Sequence, residues 1–354
     1  MTHYIFTEED IRGRVAICQQ KIDDHGFQGL ILSSESNLNY YSHFFTHAPW
    51  STFSRPAFLF IPRQGKPVLY VHVFHAPDAD VIAKGCDVRR FDSLYGPTAA
   101  QIEDVMHQLG MTTGTIGLEK GYEQRIGFEV SRYEALQAHV SNVTFADASS
   151  LIWSQRMIKS SKEVACIRKA CEATSYALDK TFAAMEEGMT EWDVSRMMQT
   201  FMLEGGADYP GFVIITSGEG NYDRISKTAT DRVLRDGDFV FVDAGARYHR
   251  YWSDFCRTGV VGAVSGKRQE YQQKIHDVTM RTAEIMRPGI PAAEVANACN
   301  KEMERAGFRA NFECGRLGHG MGLMSTEPPS ITLDDDTILE SGMIINSTFA
   351  SKKR

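Results

Sequence analysis

From Phe239 to Val261 the chain reads FVFVDAGARYHRYWSDFCRTGVV, two apolar runs each interrupted by one acid. Period-two alternation puts Phe239, Phe241 and Asp243 on one face of a first strand, and Trp252, Asp254 and Cys256 on one face of a second. With Tyr248 and His249 as a two-residue turn, Asp243 faces Asp254 across the hairpin. A turn displaced by one residue leaves the acids in diagonal reach, about 7–8 Å. Like charges set opposite each other in an apolar hairpin destabilise it, and a cation between them reverses the sign. The alternative is ordinary: Asp254 pairs with Arg257 or Arg247, and Asp243 is a turn acid before Ala244-Gly245-Ala246.

The same pattern reading divides the rest of the chain in two. TEEDIRGRVAICQQKIDDHG is an amphipathic helix with Thr7 as N-cap, Asp10 three residues on and Gly26 past its end. The runs FQGLILSS, PAFLFIP, KPVLYVHVF and GTIGLEK are short apolar strands, and strands alternating with helices make residues 1–152 an α/β domain. Two long helices follow. One starts at Ser160 or Ser161 and stops before Gly188, and the next is capped by Thr190 with Asp193 behind it. Its stripe of Val194, Met197, Met198 and Phe201 has the spacing of core packing. Then come strands in GFVIITSGEG, DFVFVDAGA, YWSDFCRTGVV and GMIIN, and a helix pair in GKRQEYQQKIHDVTMRTAEIMRPG and PAAEVANACNKEMERAG. Helices grouped against hairpin-connected strands make residues 153–354 an α+β domain.

Composition narrows the function. With 354 residues, 43% hydrophobic and 23% charged, the chain has material for two packed domains. Its net charge of -7, with no dense Lys/Arg cluster before the terminal SKKR, argues against a nucleic-acid partner. The seven cysteines are odd in number and form no C-x-x-C pair, which suits reduced thiols in a cytoplasmic protein. No apolar run approaches membrane-spanning length, and the N-terminus lacks the pattern of a signal peptide.

A second feature bears on the paired acids. In CGRLGHGMGLMSTEPPS, His319 stands between glycines, which let the backbone approach closely enough to present an imidazole from a short segment. G-H-G alone is weak, and it gains meaning beside Asp243 and Asp254.

Together, GDFVFVDAGARYHRYWSDFCRTGVVG, then GHGMGL and TEPP about 60 residues later, then LESGMII, resemble the pita-bread metallopeptidase family of prolidase, aminopeptidase P, methionine aminopeptidase and the metal-free creatinase. The resemblance spans essentially the whole chain and is strongest from RMIKSSKEVACIRKA onward. It implies a creatinase-like α/β domain followed by an α+β pita-bread domain. It also implies Asp243, Asp254 and His319 as ligands of divalent manganese, cobalt or zinc, two ions in the family, which activate a water against a peptide carbonyl. A small peptide or amide substrate and a homodimer follow from the same resemblance.

The departures from the pattern are as specific. Thr326 stands where the family carries a second, substrate-contacting His, and a hydroxyl donates a hydrogen bond without carrying charge. In SGEGNYDRI another pocket His is absent and Arg224 lies adjacent, either to grip a substrate carboxylate or to pair with Asp223 or Asp231. Thr348 falls where the first Glu ligand belongs, and neither Glu nor the closing strand follows. The expectation is therefore at most one weakly held ion, in an Xaa-Pro peptidase-like hydrolase of a small C–N bond. The alternatives are a truncated or non-catalytic chain that keeps the fold for binding, or a metal-free creatinase-like hydrolase or lyase.

Overall fold

A computed structural model describes residues 5–46, 55–222, 228–310, 315–347 and 351–352, and the chain forms two compact units, Met1–Arg156 and Met157–Arg354. The first unit runs α1 (Glu8–Asp24), β1 (Gly29–Leu32), α2 (Glu35–Ser42), β2 (Phe58–Pro62), β3 (Val68–His72), α3 (Ala76–Ile82), β4 (Asp87–Phe91), α4 (Ala99–Gln108), β5 (Gly114–Leu118), α5 (Val130–His139), β6 (Val143–Asp147) and α6 (Ser149–Arg156). Helix α1 starts where Thr7 and Asp10 form a reciprocal capping box, and it buries Ile11, Val15, Cys18 and Ile22 at helical spacing. The strands form one sheet in the order β4-β3-β2-β1-β5-β6. Strands β1, β2 and β3 are buried along their whole length, as their continuous apolar runs require.

The units divide after Arg156, inside the region where the sequence changes texture. Helix α6 belongs with the first unit because Gln155 donates from Nε2 to the Arg14 carbonyl (2.8 Å) and accepts from the Tyr41 hydroxyl (3.1 Å). Arg156 donates to Asn37 Oδ1 (2.6 Å).

The second unit runs α7 (Ser161–Ala184), α8 (Glu191–Glu204), β7 (Tyr209–Ser217), β8 (Phe239–Tyr248), β9 (Tyr251–Trp252), β10 (Phe255–Val260), α9 (Gly266–Ile285), α10 (Ala292–Arg305), β11 (Arg309–Ala310), β12 (Gly318–Gly320), β13 (Glu327–Ser330), β14 (Ile345–Ser347) and β15 (Ser351–Lys352). Capping boxes at Ser160/Glu163 and Thr190/Asp193 start α7 and α8. These helices cover one face of the sheet β10-β8-β7. Ala173, Ala177, Val194, Met198 and Met202 pack there against Val240, Val242, Ala244 and Ala246. Each large apolar side chain buried in this layer contributes about 1.5–3 kcal/mol. Period-two alternation therefore turns Phe239, Phe241, Asp243, Gly245 and Arg247 to the face that the helices do not cover. A second core joins α9 and α10 to the small sheet β13-β12-β14 through Val278, Val295, Cys299, Met303, Leu317 and Ile331.

Candidate metal centre

The β8–β9 hairpin turns at His249 and Arg250, both at positive φ (46° and 70°), with Tyr248 paired to Tyr251. Positive φ at both central residues is the I′ geometry, whose twist matches the flanking strands. The turn thus lies one residue later than Tyr248-His249, and the ladder shifts with it. Asp243 is opposite Cys256 rather than Asp254, and Asp254 follows on the same face as a diagonal neighbour. The expected direct opposition is corrected to the diagonal arrangement.

Local packing fixes Asp254. Ser253, fully buried, bonds to Thr174 of α7 (2.7 Å) and accepts from the Ala246 backbone N–H (2.9 Å). With Ser253 drawn to the helix side, its neighbour is presented to the opposite face. Gly245 is required beside it, since a Cβ there would lie 2.1 Å from the Ser253 carbonyl.

His319 arrives from the other core. Strand β12 lies between β13 and β14, and a Cβ on Gly318 would meet the Asn346 carbonyl at 2.3 Å and one on Gly320 the Pro328 carbonyl at 2.2 Å. Glycine on both sides of His319 is what lets three backbones pack this tightly. The ring Nδ1 lies 2.9 Å from the Gly320 carbonyl, so in the neutral ring Nδ1 carries the proton and Nε2 the lone pair. Nε2 is 3.3 Å from Asp254 Oδ2, and both side chains are about nine-tenths buried, at 13% and 10% exposure.

Asn346 of β14 completes this pair. Its Oδ1 accepts from the His319 backbone N–H (3.0 Å), which fixes the amide orientation, and Nδ2 then donates to Asp254 Oδ2 (2.8 Å) and faces His319 Nε2 (3.3 Å). GMIIN is legible as a strand, but nothing in the sequence gives Asn346 a role. An amide at a strand end carries no signal of its own, and its meaning depends on the β12–β14 register His319↔Asn346.

Asp243 differs from the others. Its Oδ1 is buried and has no hydrogen-bond partner. Burial, then the negative charge of Asp254, push its carboxyl up to about 7. Opposite it, burial and then Asp243 push the Cys256 thiol up to about 12, so this sulfur is a protonated neighbour of the acids.

The structure thus brings Asp254, His319 and Asn346 into direct contact, with Asp243 adjacent. Among the described residues, no group of three or more His, Cys, Asp or Glu side chains is arranged to hold a metal ion. The donor chemistry nevertheless suits a cation: an orphaned carboxylate oxygen, a second acid, and an imidazole with its Nε2 lone pair turned inward. Thr326 is half-buried in the segment between His319 and β13 and takes no part in the bonds joining Asp254, His319 and Asn346. Arg224 and Thr348 lie outside the described residues. No helix among the described residues is long and apolar enough to cross a membrane.

Residues 165–349 match metallopeptidase family M24, and residues 14–158 match the creatinase/prolidase N-terminal domain. The Xaa-Pro dipeptidase of Pyrococcus horikoshii is 32% identical over 212 residues, covering 60% of this chain and 60% of that protein. The Xaa-Pro dipeptidase of Pyrococcus furiosus is 30% identical over 243 residues, covering 68% of each. Among solved structures, the prolidase of Pyrococcus horikoshii superposes with a TM-score of 0.78 at 26% identity, covering 94% of this chain and 89% of the other.

Proposed function

The chain belongs to metallopeptidase family M24, and from that premise we propose that it is a metal-dependent hydrolase of small peptides that cleaves the bond before a proline. The observation that carries this reading is the buried, partnerless Oδ1 of Asp243 beside the Asp254–His319 pair. An apolar face holding two acids is destabilised unless a cation joins them. Asp243, Asp254 and His319 would hold one divalent ion, which when bound polarises a carbonyl and lowers the pKa of a coordinated water. Asn346 would then keep the Asp254 carboxylate and the His319 ring in register, and the Gly320 carbonyl would hold the His319 tautomer that leaves Nε2 free to ligate. Asp243, with its carboxyl near neutrality, is the group whose proton must leave as a cation enters. Thr326 and Arg224 are assigned to the substrate, Thr326 as a hydroxyl donor and Arg224 as a grip for the substrate carboxylate.

The relatives named Xaa-Pro dipeptidase support a substrate of two residues ending in proline, and they favour hydrolysis over a non-catalytic scaffold. We further assign the chain to the cytoplasm, with a homodimer as its working form. The free cysteines among the described residues, Cys18, Cys86, Cys166, Cys171, Cys256 and Cys299, accord with a reducing compartment. The test is a panel of Xaa-Pro and matched Xaa-Ala dipeptides, assayed after chelation and after manganese is returned. Manganese-dependent cleavage confined to the proline members is expected. Hydrolysis indifferent to manganese, or with no preference for proline, would sink the respective half of the reading.

A further inference from the structure

Lys159 and Glu327 form an ion pair at 3.2 Å with side-chain exposures of 2% and 1%, and the site described above makes no use of it. A buried charge pair is retained only where its geometry is good and its remaining valences are met, which raises the question of what this one holds. Glu327 opens β13 and pairs with Gly320, the residue after His319. Its Oε1 accepts from the Met324 backbone N–H (3.1 Å). Gly322 lies so close that a Cβ there would meet Glu327 Oε2 at 2.6 Å. The segment from Met321 to Thr326 is thus wrapped around one carboxylate. The same segment is tied to the hairpin: the Gly322 carbonyl accepts from the Trp252 backbone N–H (2.9 Å), and the Leu323 carbonyl accepts from the Trp252 indole Nε1 (3.1 Å). Trp252 stands two positions before Asp254.

Lys159 comes from the short stretch that leads into α7, and that stretch together with the first turn of α7 reaches three segments that flank the site. The Lys159 backbone N–H donates to the Gly342 carbonyl (3.0 Å), just ahead of β14 and Asn346. Glu163, in the first turn of α7, accepts from the Tyr251 hydroxyl (3.1 Å) beside the hairpin turn. Lys159 Nζ supplies the third tie, to Glu327.

We propose that Lys159 is a positioning residue: through its buried pair with Glu327 it holds the 321–327 segment that sets His319 against Asp254. This deepens the functional reading above and rests on it for the identity of the site, while the mechanical claim can be decided without it. Amide hydrogen exchange on Lys159→Met and Lys159→Arg, followed by manganese titration calorimetry, tests it. In Lys159→Met, protection of the Trp252, Gly322 and Met324 amides should fall at least ~10-fold while the α7, α8 and β8 amides keep theirs. Manganese affinity should fall by ~10- to 100-fold, as for other partners that orient ligands. Lys159→Arg, which restores the charge, should recover most of both, and Lys159→Met combined with Glu327→Gln should recover stability without recovering the loop protection. Unchanged protection in Lys159→Met, or protection lost evenly across the second unit, would overturn the proposal. If the unaltered chain takes up no manganese, the functional reading fails, and the exchange pattern still decides whether Lys159 positions the segment.

Discussion

Each unit buries carboxylate oxygens, the whole of Glu119 in the first and Oδ1 of the half-buried Asp243 in the second, and the two acids are treated in opposite ways. Glu119, in the first unit, is 1% exposed. It accepts from the Ser33 N–H (2.7 Å), the Ser34 N–H (3.0 Å), the Ser34 hydroxyl (2.5 Å) and Asn37 Nδ2 (2.5 Å) at the start of α2. Asp243, in the second unit, has a buried oxygen with no partner and a like charge beside it. Burial raises both carboxyls, but hydrogen bonds from Ser34, Asn37 and Ser33 oppose the rise at Glu119, whereas Asp254 adds to it at Asp243. A saturated buried acid organises its own backbone. An unsaturated one, kept beside a second acid, is what the proposed cation would satisfy.

The comparison breaks most cleanly at the proposed ligands. Asp254→Asn and His319→Ala should each lower manganese affinity by more than the ~100-fold upper range for outer partners, whereas Glu119→Gln should leave it unchanged. Calorimetric titration reads all three. Equal effects from Glu119 and Asp254 would show that the two acids share one role.

Stability should separate the same residues in the other direction. Glu119→Ala strands the donors of Ser33, Ser34 and Asn37 and should destabilise the first unit by roughly 3 kcal/mol, since hydrogen bonds to a charged group are worth about 1.5–3 kcal/mol each and some donors find water. Urea unfolding followed by a probe in the first unit measures it. A loss below about 1 kcal/mol would mean that the network is ornamental. Next in size is Asn346→Ala, which removes the amide that bridges Asp254 and His319 and should weaken manganese binding by ~10- to 100-fold with little change in unfolding.

How much of this was legible beforehand depends on whether a residue's role is local. The helix starts at Thr7, Ser160 and Thr190 follow from side chains that bond within their own turn, and the structure forms a capping box at each. Strands with apolar runs were readable for the same reason. Strand β4, Asp87-Val-Arg-Arg-Phe at the sheet edge, carries no such run because one side faces water, and its pairing with β3 is set by the fold. The two acids and His319 could be singled out from residue type and glycine context. Which turn forms, and so whether Asp254 stands opposite Asp243 or diagonal to it, could not, because it hangs on a His-Arg turn at positive φ, where glycine or asparagine would be the usual signal. Asn346 and Lys159 were invisible as site residues, since each acts across a distance in sequence, to Asp254 and to Glu327, that only the packed sheets close.

The smallest effect tests the acid comparison through pH. An aspartate in the unfolded chain titrates near 3.9, while burial and Asp254 bring the folded Asp243 to about 7. Between those values the folded chain holds a proton that the unfolded chain has released, so this residue's contribution to stability falls as pH rises from about 4 to about 7. The slope cannot exceed ~1.4 kcal/mol per pH unit for one group. Above that window both states are ionised and the loss is complete. Asp243→Asn removes the charge while keeping the shape, so the metal-free variant should be more stable than the unaltered chain at pH 8 by at least ~1 kcal/mol, with ~4 kcal/mol as the ceiling set by the full window. The difference should vanish below about pH 3, where the carboxyl is protonated in both states. Urea midpoints of chelated protein at the two pH values, followed in the second unit, provide the measurement. Manganese at saturation should reverse the order at pH 8, because the ion stabilises only the chain that keeps its ligand. A variant less stable than the unaltered metal-free chain at pH 8 would mean that Asp243 is satisfied within the protein, as Glu119 is, and would remove the main reason for placing a cation beside it.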